Sequence, residues 1–144
     1  MYEKILVPID GSESSLNALR HAVNLAKIHR SEITVISVIE ELKLPFGGEY
    51  RLWANKSHQE LIRTSLESLN KEIVSIREKE PEILIDAEII EGNPAIKIVK
   101  IAEEKKHDLI VMGKRGMGFV EELVLGSVTN KVVNKSRIPV IVVA

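Results

Sequence analysis

Short continuous apolar runs alternate along the chain with longer stretches whose apolar residues recur every three or four positions. The first run is Ile5-Leu6-Val7-Pro8-Ile9. An unbroken run of this length suits a strand covered on both faces, as in a parallel sheet. Asp10-Gly11-Ser12 closes it, and Ser12 is placed to cap a helix. Leu16, Leu19, Ala22, Val23 and Ala26 then form one helical stripe. Residues 33–39 are rich in β-branched side chains and read as a second strand. Residues 40–55 show no period, contain Pro45 and Gly47-Gly48, and read as a long surface loop. Loops of that length in compact domains are usually functional or mobile.

A second helix is predicted over 56–79, with Ile62, Leu66, Leu69, Ile73 and Ile76 as its apolar seam. Pro81 punctuates, and 83–90 read as a third strand. Asn93-Pro94 is a helix start, with asparagine as cap and proline at the first helical position. Ile98, Ile101 and Ala102 give that helix its core face. Residues 108–112 form a fourth strand, 127–134 a fourth helix, and Pro139 opens a last strand, Val140-Ile141-Val142-Val143. The order β-α-β-α-β-α-β-α-β, with right-handed crossovers, predicts an α/β fold: a parallel sheet with helices on both faces. Ligands bind such sheets at the carboxyl ends of strands, where the strand order reverses.

Composition narrows the chemistry. The 144 residues suit one domain, 1–144. The absence of cysteine excludes zinc-thiolate sites, iron–sulfur clusters and thiol catalysis. A net charge of −1 gives no global attraction to nucleic acid or membrane. No apolar run approaches the ~20 residues of a membrane span. The first strand begins almost at Met1, so no signal peptide is expected and the reading is cytoplasmic. His21, His29, His58 and His107 have no metal-ligand spacing and are expected at the surface or at helix ends.

The candidate site lies after the fourth strand. Gly113-Lys114-Arg115-Gly116 is followed, nine residues on, by Gly126-Ser127, where a helix begins. Glycines between a strand end and a helix start let backbone N–H groups approach a phosphate unobstructed. Gly113, Gly116, Gly126 and the main chain of Ser127 and Val128 are the expected donors. The Ser127 hydroxyl is open to two uses, donation to phosphate or capping of its own helix. Lys114 and Arg115 either pair with phosphate or stay solvated. No Walker loop occurs, nor a G-x-G-x-x-G fingerprint after the first strand. Asp10, just past the first strand, reads either as a ligand contact or as an Asx-turn aspartate supporting Gly11.

These residues resemble the universal stress protein family over nearly the whole chain. The resemblance rests on Ile5 through Ser12, on Gly92-Asn93-Pro94, on Asp108 through Gly113, and on Gly113, Gly116, Gly126 and Ser127, which match G-x2-G-x9-G-[ST]. That pattern marks the ATP-binding branch. The resemblance implies a five-stranded Rossmann-like α/β/α sheet of order 3-2-1-4-5. It also implies an adenine nucleotide between strands one and four, and a homodimer paired through the last strand, 140–143. By the same resemblance Asp10 contacts the ribose or helps seat the base, Pro8 and Ile9 lie along the base, Val38 offers backbone groups to the adenine edge, and Met112 adds packing. ATP is the expected cofactor, with Mg2+ or Mn2+ bridging its phosphates. No catalytic residue is identified. A nucleotide-dependent stress or regulatory module is the expected function, with a slow ATPase or other nucleotide-dependent enzyme as the alternative.

Overall fold

A computed structural model describes residues 1–40, 49–115 and 125–144. Five strands and four helices alternate. They are β1 (Lys4–Pro8), α1 (Glu13–His29), β2 (Glu32–Ile39), α2 (Glu49–Lys79), β3 (Ile85–Glu91), α3 (Pro94–Glu104), β4 (Leu109–Gly113), α4 (Ser127–Lys135) and β5 (Val140–Val143). The strands form one parallel sheet in the order β3-β2-β1-β4-β5. The chain reverses direction of travel across the sheet between β1 and β4, so the topological switch point lies there.

Successive side chains on a strand point to opposite faces, and this alternation divides the core in two. Ile5, Val7, Val35 and Val111 pack against α1 and the C-terminal part of α2, through Ala18, Leu19, Leu69 and Ile73. Leu6, Ile36, Ile110 and Met112 face the other way, onto Ile98 and Ala102 of α3 and Val132 of α4. Burying each such leucine or isoleucine contributes about 1.5–3 kcal/mol. Both expected helix caps form. Ser12 Oγ accepts from Ser15 N at 3.2 Å, and Asn93 Oδ1 accepts from Ile96 N at 3.2 Å, with Pro94 next.

Three features depart from the sequence reading. α2 starts at Glu49, so residues 49–55 are helical rather than loop; residues 41–48 of the expected loop lie outside the described residues. Residues 49–55 hold no glycine or proline, and a helix nucleated downstream propagates through them without a break. A helix of 31 residues is also ~46 Å long at 1.5 Å per residue, whereas the seven residues of β3 rise ~23 Å. Its seam therefore outruns the sheet that should cover it: Leu69 and Ile73 are buried, but Leu66 is 45% exposed and Leu61 54%.

The third departure is His107, which lies just past a helix end, one of the two expected places, but is buried at 3% exposure. After α3 the chain takes a left-handed residue at Lys106 (φ 57°), and His107 N donates to Ala102 O at 2.8 Å, which folds the ring beneath the helix end. Among the described residues neither ring nitrogen has a partner in hydrogen-bond geometry. Burial and the charge of Lys4 push its pKa below the ordinary histidine value of 6.5. Beside it, the Asp108 carboxylate accepts from Glu3 N at 2.8 Å and Lys4 N at 3.1 Å, anchoring the start of β1.

Candidate functional site

The loops after β1 and β4 meet at the switch point. Asp10 Oδ1 accepts from Ser12 N at 2.9 Å, an Asx turn, and Gly11 takes φ 86°, a conformation that favours glycine. A side chain added at Gly11 would meet open space, so strain and not crowding selects glycine there. The turn delivers α1 with its first residues against the opening of the β4 loop. Ser14 Oγ donates to Arg115 O at 2.6 Å, and Ser12 Oγ reaches the same carbonyl at 3.4 Å.

Gly113 is where the two elements touch. A Cβ on Gly113 would collide with Ser14 Oγ and lie 2.8 Å from both Ser14 C and Ser15 N. The residue is therefore glycine because α1 crosses directly over it. The β4 loop is also closed at its base. Lys114 N donates to Val143 O at 2.7 Å, Lys114 O accepts from Gly126 N at 2.8 Å, and Thr129 Oγ1 donates to Gly113 O at 2.8 Å. Thr129, Ser14 and Ser12 together pin the loop ends. Sequence reasoning identified Ser12 as a cap but missed the other two. The signal was the polar residue on the inner face of each short helix start.

Gly126 is buried and is the N-cap of α4, with φ −64° and ψ 160°. It has no side chain to offer the first-turn amides, which therefore keep their donors directed outward with the positive end of the helix dipole. Ser127 is the first residue of the helix and exposed, so its hydroxyl does not cap α4. Val128 is half-buried and packs against the α3–α4 side of the core. Gly116 lies outside the described residues.

On the other side of the crevice, Pro8 ends β1 opposite Ile36, and Ile9 N donates to Ile36 O at 2.8 Å. In a parallel strand the N–H and C=O of one residue point to the same neighbour, and alternate residues point to opposite neighbours. Ile36 faces β1, so Val38 does too. β2 runs on to Ile39 alongside β3, past the end of β1. The backbone groups of Val38 thus face the space above the β1 terminus. Met112 is buried below, opposite Val142. Of the expected site residues, Pro8, Ile9, Asp10, Val38, Met112, Gly113, Gly126, Ser127 and Val128 all cluster at this carboxyl edge.

A cavity of about 210 Å³ adjoins the same turn. Ile9, Asp10 and Gly11 form one wall, Ser37 of β2 the floor, and Thr64, Ser65, Ser68, Leu69 and Glu72 of α2 the far side. No sequence signal pointed to the α2 residues, because the helix was read from its apolar seam. Among the described residues no group of three or more histidine, aspartate or glutamate side chains is arranged to hold a metal. Among them, too, no helix is long and apolar enough to cross a membrane.

Comparison with known proteins agrees with this architecture. The model of the universal stress protein family matches residues 1–144. The universal stress protein MJ0531 of Methanocaldococcus jannaschii is 38% identical over 146 residues, which cover 99% of this chain and 82% of that protein. The structure of UspA from Lactobacillus plantarum superposes with a TM-score of 0.90 at 24% identity, covering 99% of this chain and 98% of that one. A universal stress protein from Archaeoglobus fulgidus, solved in complex with dAMP, superposes with a TM-score of 0.65 at 22% identity, covering 99% and 98%. With its whole length matched and its sheet order the same, the chain belongs to the universal stress protein family.

Proposed function

We propose that this chain is a cytoplasmic ATP-binding module that couples nucleotide occupancy to a stress or regulatory partner. One observation carries the reading: an uncapped, glycine-started helix, α4, opens at the β1–β4 switch point with Asp10 and the Val38 backbone on the opposite rim. The phosphates would lie on the amides of Ser127 and Val128 and along the glycine loop that begins at Gly113 and includes Gly116. The Ser127 hydroxyl, exposed at the helix start, would donate to a phosphate oxygen. The helix end adds about 0.3–1 kcal/mol of favourable electrostatics at an exposed site.

Asp10 would contact the ribose or help seat the base. The adenine edge would meet Val38, with Pro8 and Ile9 beneath the base and Met112 packing below. The Archaeoglobus relative, solved in complex with dAMP, supports an adenine nucleotide as the ligand. A divalent ion, Mg2+ or Mn2+, would be held chiefly by phosphate oxygens, as small hard cations usually are. Hydrolysis needs a group that orients water and others that stabilise developing charge. The described residues at the crevice supply amides, hydroxyls and the Asp10 carboxylate; capture of the nucleotide is the first reading and slow ATP hydrolysis the second. The edge strand β5, half-buried along its length, is the surface through which two copies would pair.

Calorimetry with ATP and Mg2+ tests the binding. We expect saturable 1:1 binding that Gly126→Val abolishes while the circular dichroism spectrum stays the same. Undiminished affinity in a folded Gly126→Val protein would refute the cradle. Phosphate release under saturating ATP separates the binding module from the slow ATPase, and light scattering gives the mass of the assembly.

A further inference from the structure

We infer that Glu72, with Ser65 and Ser68 beside it on α2 and Ser37 opposite on β2, reads a hydrogen-bond donor on the nucleoside part of the bound nucleotide. The inference rests on the nucleotide reading above and adds to it a determinant of ligand selectivity. The cavity between the Asp10 turn and α2 is lined by these four side chains. Ser37, Ser65 and Glu72 are half-buried, and among the described residues none of the four has a hydrogen-bond or ion-pair partner.

The way α2 lies is unusual for a helix packed on a sheet. A serine within a helix normally bonds back to the carbonyl one turn earlier or points to water. Here Ser65 turns inward while its neighbour Leu66, part of the apolar seam, is 45% exposed. The helix thus presents hydroxyls and a carboxylate, instead of its leucine, at the ligand edge of the sheet. One turn further on, Leu69 and Ile73 resume ordinary core packing.

The chemistry of the wall selects its guest. Glu72 brings a carboxylate to a cavity that Asp10 also lines, which repels phosphate and leaves Glu72 as an acceptor seeking a donor. With the phosphates on α4, Asp10 and the Val38 backbone would take one side of the nucleoside, and the α2 wall would face its remaining donors, a ribose hydroxyl or the second hydrogen of the exocyclic amine. Both are donors, and a carboxylate is the stronger partner for either. A buried acceptor also disfavours a ligand that presents a carbonyl or a hydrogen in the same place, because the carboxylate is then left unpaired.

Calorimetry on the full chain distinguishes the sources. ATP is compared with inosine triphosphate, which replaces the amine with a carbonyl, and with 2′-deoxy- and 3′-deoxy-ATP, which each lack one hydroxyl. The unaltered protein is expected to bind ATP roughly tenfold or more tightly than one of these analogues, as loss of a charged hydrogen bond implies. Glu72→Ala should lower ATP affinity to that of the disfavoured analogue and leave the analogue within about twofold of its former value. Glu72→Gln keeps the side-chain shape and one acceptor oxygen, and should retain part of the preference. Its use also guards against any loss of folding in the alanine variant. Equal binding of ATP and all three analogues by the unaltered protein, or full selectivity in Glu72→Ala, would overturn the inference and leave the nucleotide reading standing. No binding of ATP by the unaltered protein would overturn both.

Discussion

Replacing Gly113 with alanine separates packing from ligand contact at the glycine that opens the phosphate loop. The added Cβ meets Ser14 Oγ and, more seriously, sits 2.8 Å from the backbone at Ser14 C and Ser15 N. A side-chain oxygen can rotate away; the first turn of α1 cannot, because Ser12 caps it and Ser14 is tied to Arg115 O. Overpacking of this kind costs about 1–3 kcal/mol, and a clash with backbone belongs at the upper end. Loss of glycine's freedom in the unfolded chain returns about 0.4–1 kcal/mol, for a net cost near 2 kcal/mol. Unfolding entropy of ~2 cal/mol/K per residue makes each kcal/mol roughly 3 °C in Tm for a chain of 144 residues. A fall of about 6 °C in a thermal melt is therefore expected. Ser14→Gly in the same background should recover only a small part, since the backbone contacts persist. A Tm that stays level or rises would show that α1 does not cross Gly113 as closely as described, and would leave ligand approach as the reason for the glycine.

Other outcomes follow from the same geometry. Thr129→Val leaves the buried Gly113 carbonyl without its donor and should cost about 1–3 kcal/mol in urea denaturation; no change would mean the bond does not hold the loop base. Ser12→Ala should cost about 0.5–2 kcal/mol through the lost α1 cap, read by the same titration. Burial and the charge of Lys4 oppose protonation of His107 in the fold, so its pKa lies below that of the unfolded chain. The unfolded state then takes up the proton first, and stability that is intact above about pH 6.5 should fall as pH drops below it, by at most ~1.4 kcal/mol per pH unit. Denaturation midpoints at pH 7 and pH 5 should differ less in His107→Leu than in the unaltered protein; an equal difference would exclude this residue as the source.

The order of strands and helices was legible in the chain itself, as were the Ser12 and Asn93 caps and the glycine spacing, because each depends on residues close in sequence. A continuous apolar run, a hydroxyl before a periodic stripe and a proline after an asparagine carry their local meaning without the rest of the fold. What lies opposite a residue is not local. The seam of α2 predicts that Leu66 is inward, yet the helix outruns the strands beneath it and turns Ser65 to the cavity. His107 reads as a surface or helix-end residue, and only a left-handed turn at Lys106 buries it under the end of α3. Gly113 reads as a phosphate-loop glycine, and only the crossing of α1, about a hundred positions away in sequence, supplies the steric reason for it. Val38 acquires its open backbone edge from the unequal lengths of β1 and β2. Period and capping report which face of an element is apolar, whereas the partner that face meets, and where the covering ends, is decided by contacts between segments far apart in the chain.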